Sequence, residues 1–359
     1  MRDTALPGPE PRSGRRRRWA AVVVIVLLLG IVGITLLPVL PELERLLGLV
    51  PGNEWAWSVT QATQLHAKGL DGSGVILCVV DTGVDLQHPG LSDVNLLAWK
   101  DLVNGREDPY DDEGHGTAMV GLIAAQGQVS GLAPKVSLVV VKAITETGES
   151  GSSVVLEGIT FCMDPFGNNT RSHIISLSLG GSTRPVQEDE VAAAAAEAVS
   201  KGIFVVAAAG NEGSAARDVQ SPASEPLVIA VGAVDSSLRI APFSQGGNNG
   251  PRPFNPEGRT DPNKKPEAVA PGVDLVTASL DGKYVRISGT SAAAAFVSAL
   301  LALILQGMPS LKIASSSSGV LQLKMALMET ARELDDQEVP HDDLYGYGLI
   351  QGLDLLEAL

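Results

Sequence analysis

Three observations predict an α/β fold, a parallel β-sheet with helices on both faces. Continuous apolar runs of strand length recur along the chain, and stretches of helical pattern separate them. Gly and Ala are abundant while aromatic residues make up only 4%, a composition suited to closely packed layers. Strands buried on both faces read as unbroken apolar runs, and their alternation with helices implies crossover connections between parallel strands. One N-terminal transmembrane helix is expected ahead of this domain.

The N-terminal expectation comes from charge. The chain has 359 residues and a net charge of −15, yet residues 1–18 hold six Arg against Asp3 and Glu10, while Ala20 to Leu37 carry no charge. A cleaved signal peptide has a shorter apolar region ending at a small-residue cleavage site. Here the apolar run has bilayer length and leads into Leu37-Pro38-Val39-Leu40-Pro41. The expected organisation is a basic cytoplasmic tail (1–18), a signal anchor (19–40), a juxtamembrane linker (41–54) and one folded domain (55–359). The basic flank stays in the cytoplasm, which places the folded domain outside. Its acidity argues against nucleic acid as a partner; oligomeric state is not readable. Cys78 and Cys162 lie in apolar runs and are expected as buried thiols, with one disulfide as the alternative outside the cytoplasm. Asn168-Asn169-Thr170 matches a glycosylation sequon.

From Val59 to Lys68 the pattern is helical and is closed by Gly69. Asp71 to Gly74 is a turn, and Val75 to Val80 is the first buried strand. Further strands are expected at Val136 to Lys142, His173 to Leu179, Ile203 to Ala209 and Leu227 to Val234. Helices are expected at Gly116 to Ala125, Ser152 to Cys162 and Glu188 to Lys201, the last stopped by Gly202. Gly246 to Pro266 reads as a surface loop, Gly319 to Leu334 as an amphipathic helix and Leu353 to Leu359 as a short terminal one. Ligands of such sheets bind beyond the C-terminal strand ends.

Four stretches can carry chemistry. Ser291 opens a segment apolar on every side, as a buried core helix would be, where free N–H groups and the helix dipole favour negative charge. Asp81 directly follows the first buried strand. His115 stands between two glycines at a helix start, after the acidic turn Asp111-Asp112-Glu113. Asn211, in Gly210-Asn211-Glu212-Gly213, follows another buried strand. Singly, each has a bland reading as a cap or turn. Together they supply a hydroxyl nucleophile, a base, a carboxylate to orient that base, and an amide donor for an oxyanion. An aspartic-protease site would need a second Asp-Thr-Gly, and a metal site would need His or Cys at ligand spacing. The sequence has neither, so no cofactor or metal is expected.

The chain resembles the subtilisin-like serine proteases (subtilases). The matching segments are Val79 to Asp85 with His88-Pro89, Gly114 to Thr117, Ser176 to Gly181, Ala208 to Gly213, Lys265-Pro266-Glu267, Ala270-Pro271-Gly272 and Ser288 to Ser291. The resemblance implies an endopeptidase with Ser291 as nucleophile, His115 as general base and acid, Asp81 as its orienter and Asn211 as oxyanion donor. It also implies an extended peptide substrate pairing along Ser178, Leu179 and Gly180 on one side and Gly148 to Gly151 on the other. Ala208 to Gly210 would wall the primary specificity pocket. The chain departs from the family pattern at Ala292, Ala295 and Phe296 after the serine and at Ala118 after the histidine. Gly90 stands where many members have a calcium-ligand Asp, so that calcium site is not expected. No pro-domain is expected either, so folding would proceed unaided or with help in trans. The rival reading is a catalytically weak or silent peptide-binding scaffold; a lesser one is an esterase or ligase on the same residues.

Overall fold

The computed structural model describes residues 52–164, 171–181, 189–216, 218–252, 255–312 and 316–359. The expected anchor with its basic flank, and the Asn168 sequon, fall outside the described residues.

Helix α1 (Glu54–Val59) precedes α2 (Ala62–Ala67), which is the helix expected over 59–68 with a later start. Gln61 between them sits at φ 60°, a left-handed conformation that no helix continues through. Then follow β1 (Ile76–Asp81), β2 (Asn95–Asp101), α3 (His115–Ala124), β3 (Ser137–Lys142), α4 (Ser152–Met163), β4 (Ile174–Leu177), α5 (Glu190–Ser200), β5 (Phe204–Ala208), β6 (Ile229–Val234) and β7 (Ala268–Pro271). The strands form one sheet in the order β2-β3-β1-β4-β5-β6-β7, with every pairing parallel. The order reverses at β1, whose neighbours are β3 and β4, so a crevice is expected beyond its C-terminal end. Asp81 is the last residue of that strand.

A hairpin of β8 (Leu275–Ala278) and β9 (Tyr284–Ile287) follows, a separate two-stranded antiparallel sheet beside the expected parallel one. It leads into α6 (Thr290–Gly307), followed by α7 (Pro309–Lys312), α8 (Ser318–Thr330) and α9 (Gly352–Ala358). Helix α8 ends at Thr330 rather than Leu334 because Ala331 is already extended. Among the described residues α6 alone is long and apolar enough to cross a bilayer, and 83% of it is buried inside the protein. It is the core helix, packed against α3 and against strands β4 to β7.

Helices α4 and α5 cover the other face of the sheet. Helix α4 comes close because Gly158 has no side chain: a Cβ there would lie 2.9 Å from Val80 Cγ1. That approach corrects the expected thiols. Cys78, two residues before Val80 and so on the same sheet face, is joined in a disulfide to Cys162 on α4. Both half-cystines are fully buried.

Candidate active site

The site lies where β1 ends against the start of α3 and the start of α6. His115 Nδ1 donates to Asp81 Oδ1 at 2.7 Å, and Asp81 Oδ1 also accepts the Thr82 N–H at 2.8 Å. Asp81 is fully buried, while the His115 side chain keeps 34% of its surface exposed. The glycines beside His115 have definite tasks. Gly114 sits at φ 106°, which favours glycine. A Cβ on Gly116 would overlap the Gly83 carbonyl oxygen, so only glycine lets α3 approach the end of β1 this closely. Cross-links complete the joint: Gly116 N–H donates to Thr82 Oγ1 at 2.8 Å, and Asp85 N–H to Thr117 Oγ1 at 3.0 Å.

The acidic turn before His115 is tied into this joint. Asp111 accepts from Thr117 N–H and Oγ1 and from the N–H groups of Gly114 and Glu113. Burial pushes its carboxyl up, but these hydrogen bonds outweigh burial and hold it below the usual range. Asp112 pairs at 2.6 Å with Lys142, which is fully buried at the end of β3. Lys142 Nζ also donates to the carbonyls of Thr82 (2.6 Å) and Ile144 (3.0 Å). One cation therefore ties the residue after Asp81 to the turn before His115. Sequence reasoning missed this lysine; the signal was a cation closing an otherwise apolar strand. The Asp81 charge pushes the His115 imidazole up to about 9, against the lowering effect of burial and with further help from Glu113 and Asp111.

Ser291 is the second residue of α6, where early N–H groups lack intrahelical acceptors. Its hydroxyl donates to the Ser178 carbonyl at 3.0 Å, and the Ser178 hydroxyl donates back to the Ser291 carbonyl at 3.1 Å. No hydrogen bond joins Ser291 to His115 among the described residues. Both line one cavity of about 470 Å³ with Asn211, Ala292 and Glu113, closed by Ala118 and Met119 of α3 and Leu280, Val285 and Ile287 of the hairpin. The hydroxyl can swing between staggered rotamers about one bond, and catalytic hydrogen bonds often tighten only with substrate present.

Thr290, inside the Ser288 to Ser291 segment, orients Asn211, a contact the motif did not announce. Its N–H and hydroxyl both donate to Asn211 Oδ1, at 2.9 and 3.0 Å, and Gly210 N–H donates to Thr290 Oγ1 at 3.1 Å. With the amide oxygen engaged, Nδ2 is the end left to donate. The other expected substrate positions divide. Ser178 touches Ser291 as described; Leu179 is half-buried and Gly180 exposed on the chain that follows. Ala208 is buried at the end of β5, and Gly210 leads into Asn211. None of Ser178, Leu179, Gly180, Ala208, Gly210 and Gly151 is in the cavity lining; Gly151 lies exposed at the start of α4, with only Ser153 and Val154 near its Cβ position.

Fold and site together define a class: a parallel α/β protein that brings a serine hydroxyl, an imidazole and a buried carboxylate to the C-terminal edge of its sheet. The chain belongs to the subtilase family, whose model matches residues 72–348. It is 34% identical over 277 residues to "Serine protease AprX" of Bacillus subtilis (strain 168), covering 68% of this chain and 60% of that protein. To the "Major intracellular serine protease" of the same organism it is 35% identical, covering 68% of this chain and 73% of the relative. To "Subtilisin E", also of that organism, the figures are 36%, 70% and 61%. The chain thus matches about three fifths of the length of two of these relatives.

Proposed function

We propose that this protein is a serine endopeptidase acting through an acyl-enzyme, with Asp81, His115 and Ser291 as its triad and Asn211 in the oxyanion hole. The observation that carries the reading is the 2.7 Å bond from His115 to buried Asp81, made on the wall of the cavity that Ser291 and Asn211 also line. Ser291 Oγ attacks the peptide carbonyl carbon while His115 Nε2 takes its proton. Asp81 stays ionised, holding Nδ1–H in place and stabilising the imidazolium. The oxyanion is received by Asn211 Nδ2–H and the Ser291 N–H. Collapse breaks the C–N bond, and His115 gives its proton to the departing amine. Water, deprotonated by His115, then adds to the ester; the acid leaves and Ser291 regains its proton.

The Ser291 to Ser178 hydrogen bond favours the rival reading, a silent peptide-binding scaffold, if substrate cannot turn the hydroxyl round. Full-length protein in detergent, assayed on a mixed peptide library, separates the two. Cleavage by the wild type and its loss in Ser291→Ala supports the enzyme; binding without cleavage supports the scaffold.

The same proposal places residues 19–40 in the membrane, 1–18 in the cytoplasm and the catalytic domain outside. The charge pattern supports it, as does the Cys78–Cys162 disulfide, since such bonds persist in oxidising compartments. Retention of the chain in carbonate-washed membranes is expected, and its release would contradict the anchor.

A further inference from the structure

Two chain segments flank the nucleophile, and apart from Asn211 neither contributes to the cavity lining that His115 and the hairpin share. One runs from Ser178, whose carbonyl holds the Ser291 hydroxyl, through Leu179, Gly180 and Gly181. The other runs from Ala208 to Asn211. A third segment, Val219 to Ser221, joins them: Gln220 N–H donates to the Ala209 carbonyl at 2.9 Å, and Gly181 and Ser221 exchange backbone bonds at 3.1 and 3.3 Å. Two walls and a floor therefore make a slot beside Ser291. Because His115 must protonate the departing amine, its side of the site takes the leaving group. The slot, outside that lining, receives the residue whose carbonyl is attacked.

The Gln220 side chain occupies this slot. A Cβ on Gly180 would overlap Gln220 Oε1 and lie 3.0 Å from its Cβ, and a Cβ on Gly210 would lie 2.9 Å from its Cγ. The glutamine thus extends between the two glycines, across the gap between the walls. Its far end is held, for Gln220 Nε2 donates to Glu212 Oε1 at 3.2 Å. Gln245 crowds the same face of Gly210: a Cβ there would overlap its Oε1 first, while its N–H donates to the Gly210 carbonyl and its Nε2 donates to the Asp218 carbonyl. The space at Gly210 is therefore shared by both glutamines.

We propose that Gln220 is a specificity-determining residue: it plugs the acyl-side slot and restricts the residue before the scissile bond to small side chains such as Gly, Ala or Ser. This rests on the endopeptidase reading. A slot half-filled by a side chain of this volume admits a methyl group but leaves no room for a phenyl or long aliphatic group.

The test uses the full-length protein in detergent and tetrapeptide anilides that differ only at the residue before the anilide: Ala, Leu, Phe or Lys. The wild type is expected to show kcat/KM at least 10-fold higher for Ala than for Phe. Gln220→Ala should cut that ratio at least 10-fold. Gln220→Met, which keeps the volume and loses the amide, should retain the preference, and thermal melting checks that both variants are folded. A wild type that favours Phe, or a ratio unchanged in Gln220→Ala, would overturn the proposal, as would a preference lost in the Met variant. Turnover of no anilide, together with failure of Ser291 to take a fluorophosphonate, would bring down the endopeptidase reading and this inference with it. Labelling at Ser291 without turnover of the Ala anilide would overturn the slot assignment alone.

Discussion

Ser178 and Ser291 hold each other by two reciprocal hydrogen bonds, hydroxyl to carbonyl in both directions, at 3.0 and 3.1 Å. The first commits the Ser291 hydroxyl to Ser178; the second ties the backbone of the first turn of α6. Ser178→Ala removes only the second. One such bond contributes about 1 kcal/mol, so kcat/KM should fall roughly 3- to 10-fold while the fold survives. Steady-state kinetics beside a melting curve would check this.

The pH profile follows from His115. The base must be neutral to accept the Ser291 proton, and the Asp81 charge pushes it up to about 9. The rising limb of kcat/KM should therefore lie well above the unperturbed 6.5. Glu113 contributes to the upward push, so Glu113→Gln should move the limb to lower pH. Stability runs the opposite way. A histidine whose pKa is raised on folding stabilises the fold fully below 6.5, and that contribution is lost as pH rises through about 9. Melting temperatures of Ser291→Ala and of Ser291→Ala/His115→Gln, compared from pH 6 to 10, should converge toward the alkaline end.

Asn211 and Thr290 form a second unit. Asn211→Ala should lower kcat on the order of 100-fold with little change in KM, a magnitude that comes from a subtilisin. Thr290→Val keeps Asn211 but removes one of the two donors to its Oδ1 and the acceptor of the Gly210 N–H. The expected loss is about 5- to 20-fold in kcat, the worth of one to two hydrogen bonds. A Thr290→Val enzyme as impaired as Asn211→Ala would mean that Asn211 works only when doubly anchored.

Lys142 is buried with three acceptors around it. Lys142→Met leaves Asp112 and two carbonyls without their cation, and breaking such a pair costs on the order of 3–5 kcal/mol. Chemical denaturation should show that loss. A cost below 1 kcal/mol would mean that solvent replaces the lysine readily.

Removing the Cys78–Cys162 disulfide, which spans 84 residues of sequence, should cost about 2–4 kcal/mol. Denatured, unreduced protein purified from its native compartment should yield no free thiol on alkylation and mass spectrometry.

The sheet and its crossovers were legible because β1, β3, β5 and β6 are largely apolar runs, and the glycines beside His115 and Asn211 marked a helix start and a strand end. Elements without such signals were not. Strand β2 lies at the sheet edge with mixed exposure, and β8 and β9 are four residues each, too short for periodicity to register. The disulfide was misjudged because proximity across layers depends on Gly158, 80 residues from Cys78, whose missing side chain carries no pattern. Gln220 lay hidden for a related reason: a lone glutamine in a loop gains meaning only once the gap between Gly180 and Gly210 is seen.

The central claim is that Asp81 and His115 activate the Ser291 hydroxyl. Intact-mass measurement after fluorophosphonate treatment, on wild type, His115→Ala and Ser291→Ala, tests it most directly. One adduct on wild type at Ser291, labelling slowed at least 100-fold in His115→Ala and none in Ser291→Ala is the predicted result. Equal labelling of wild type and His115→Ala, or no adduct on the wild type, would contradict it.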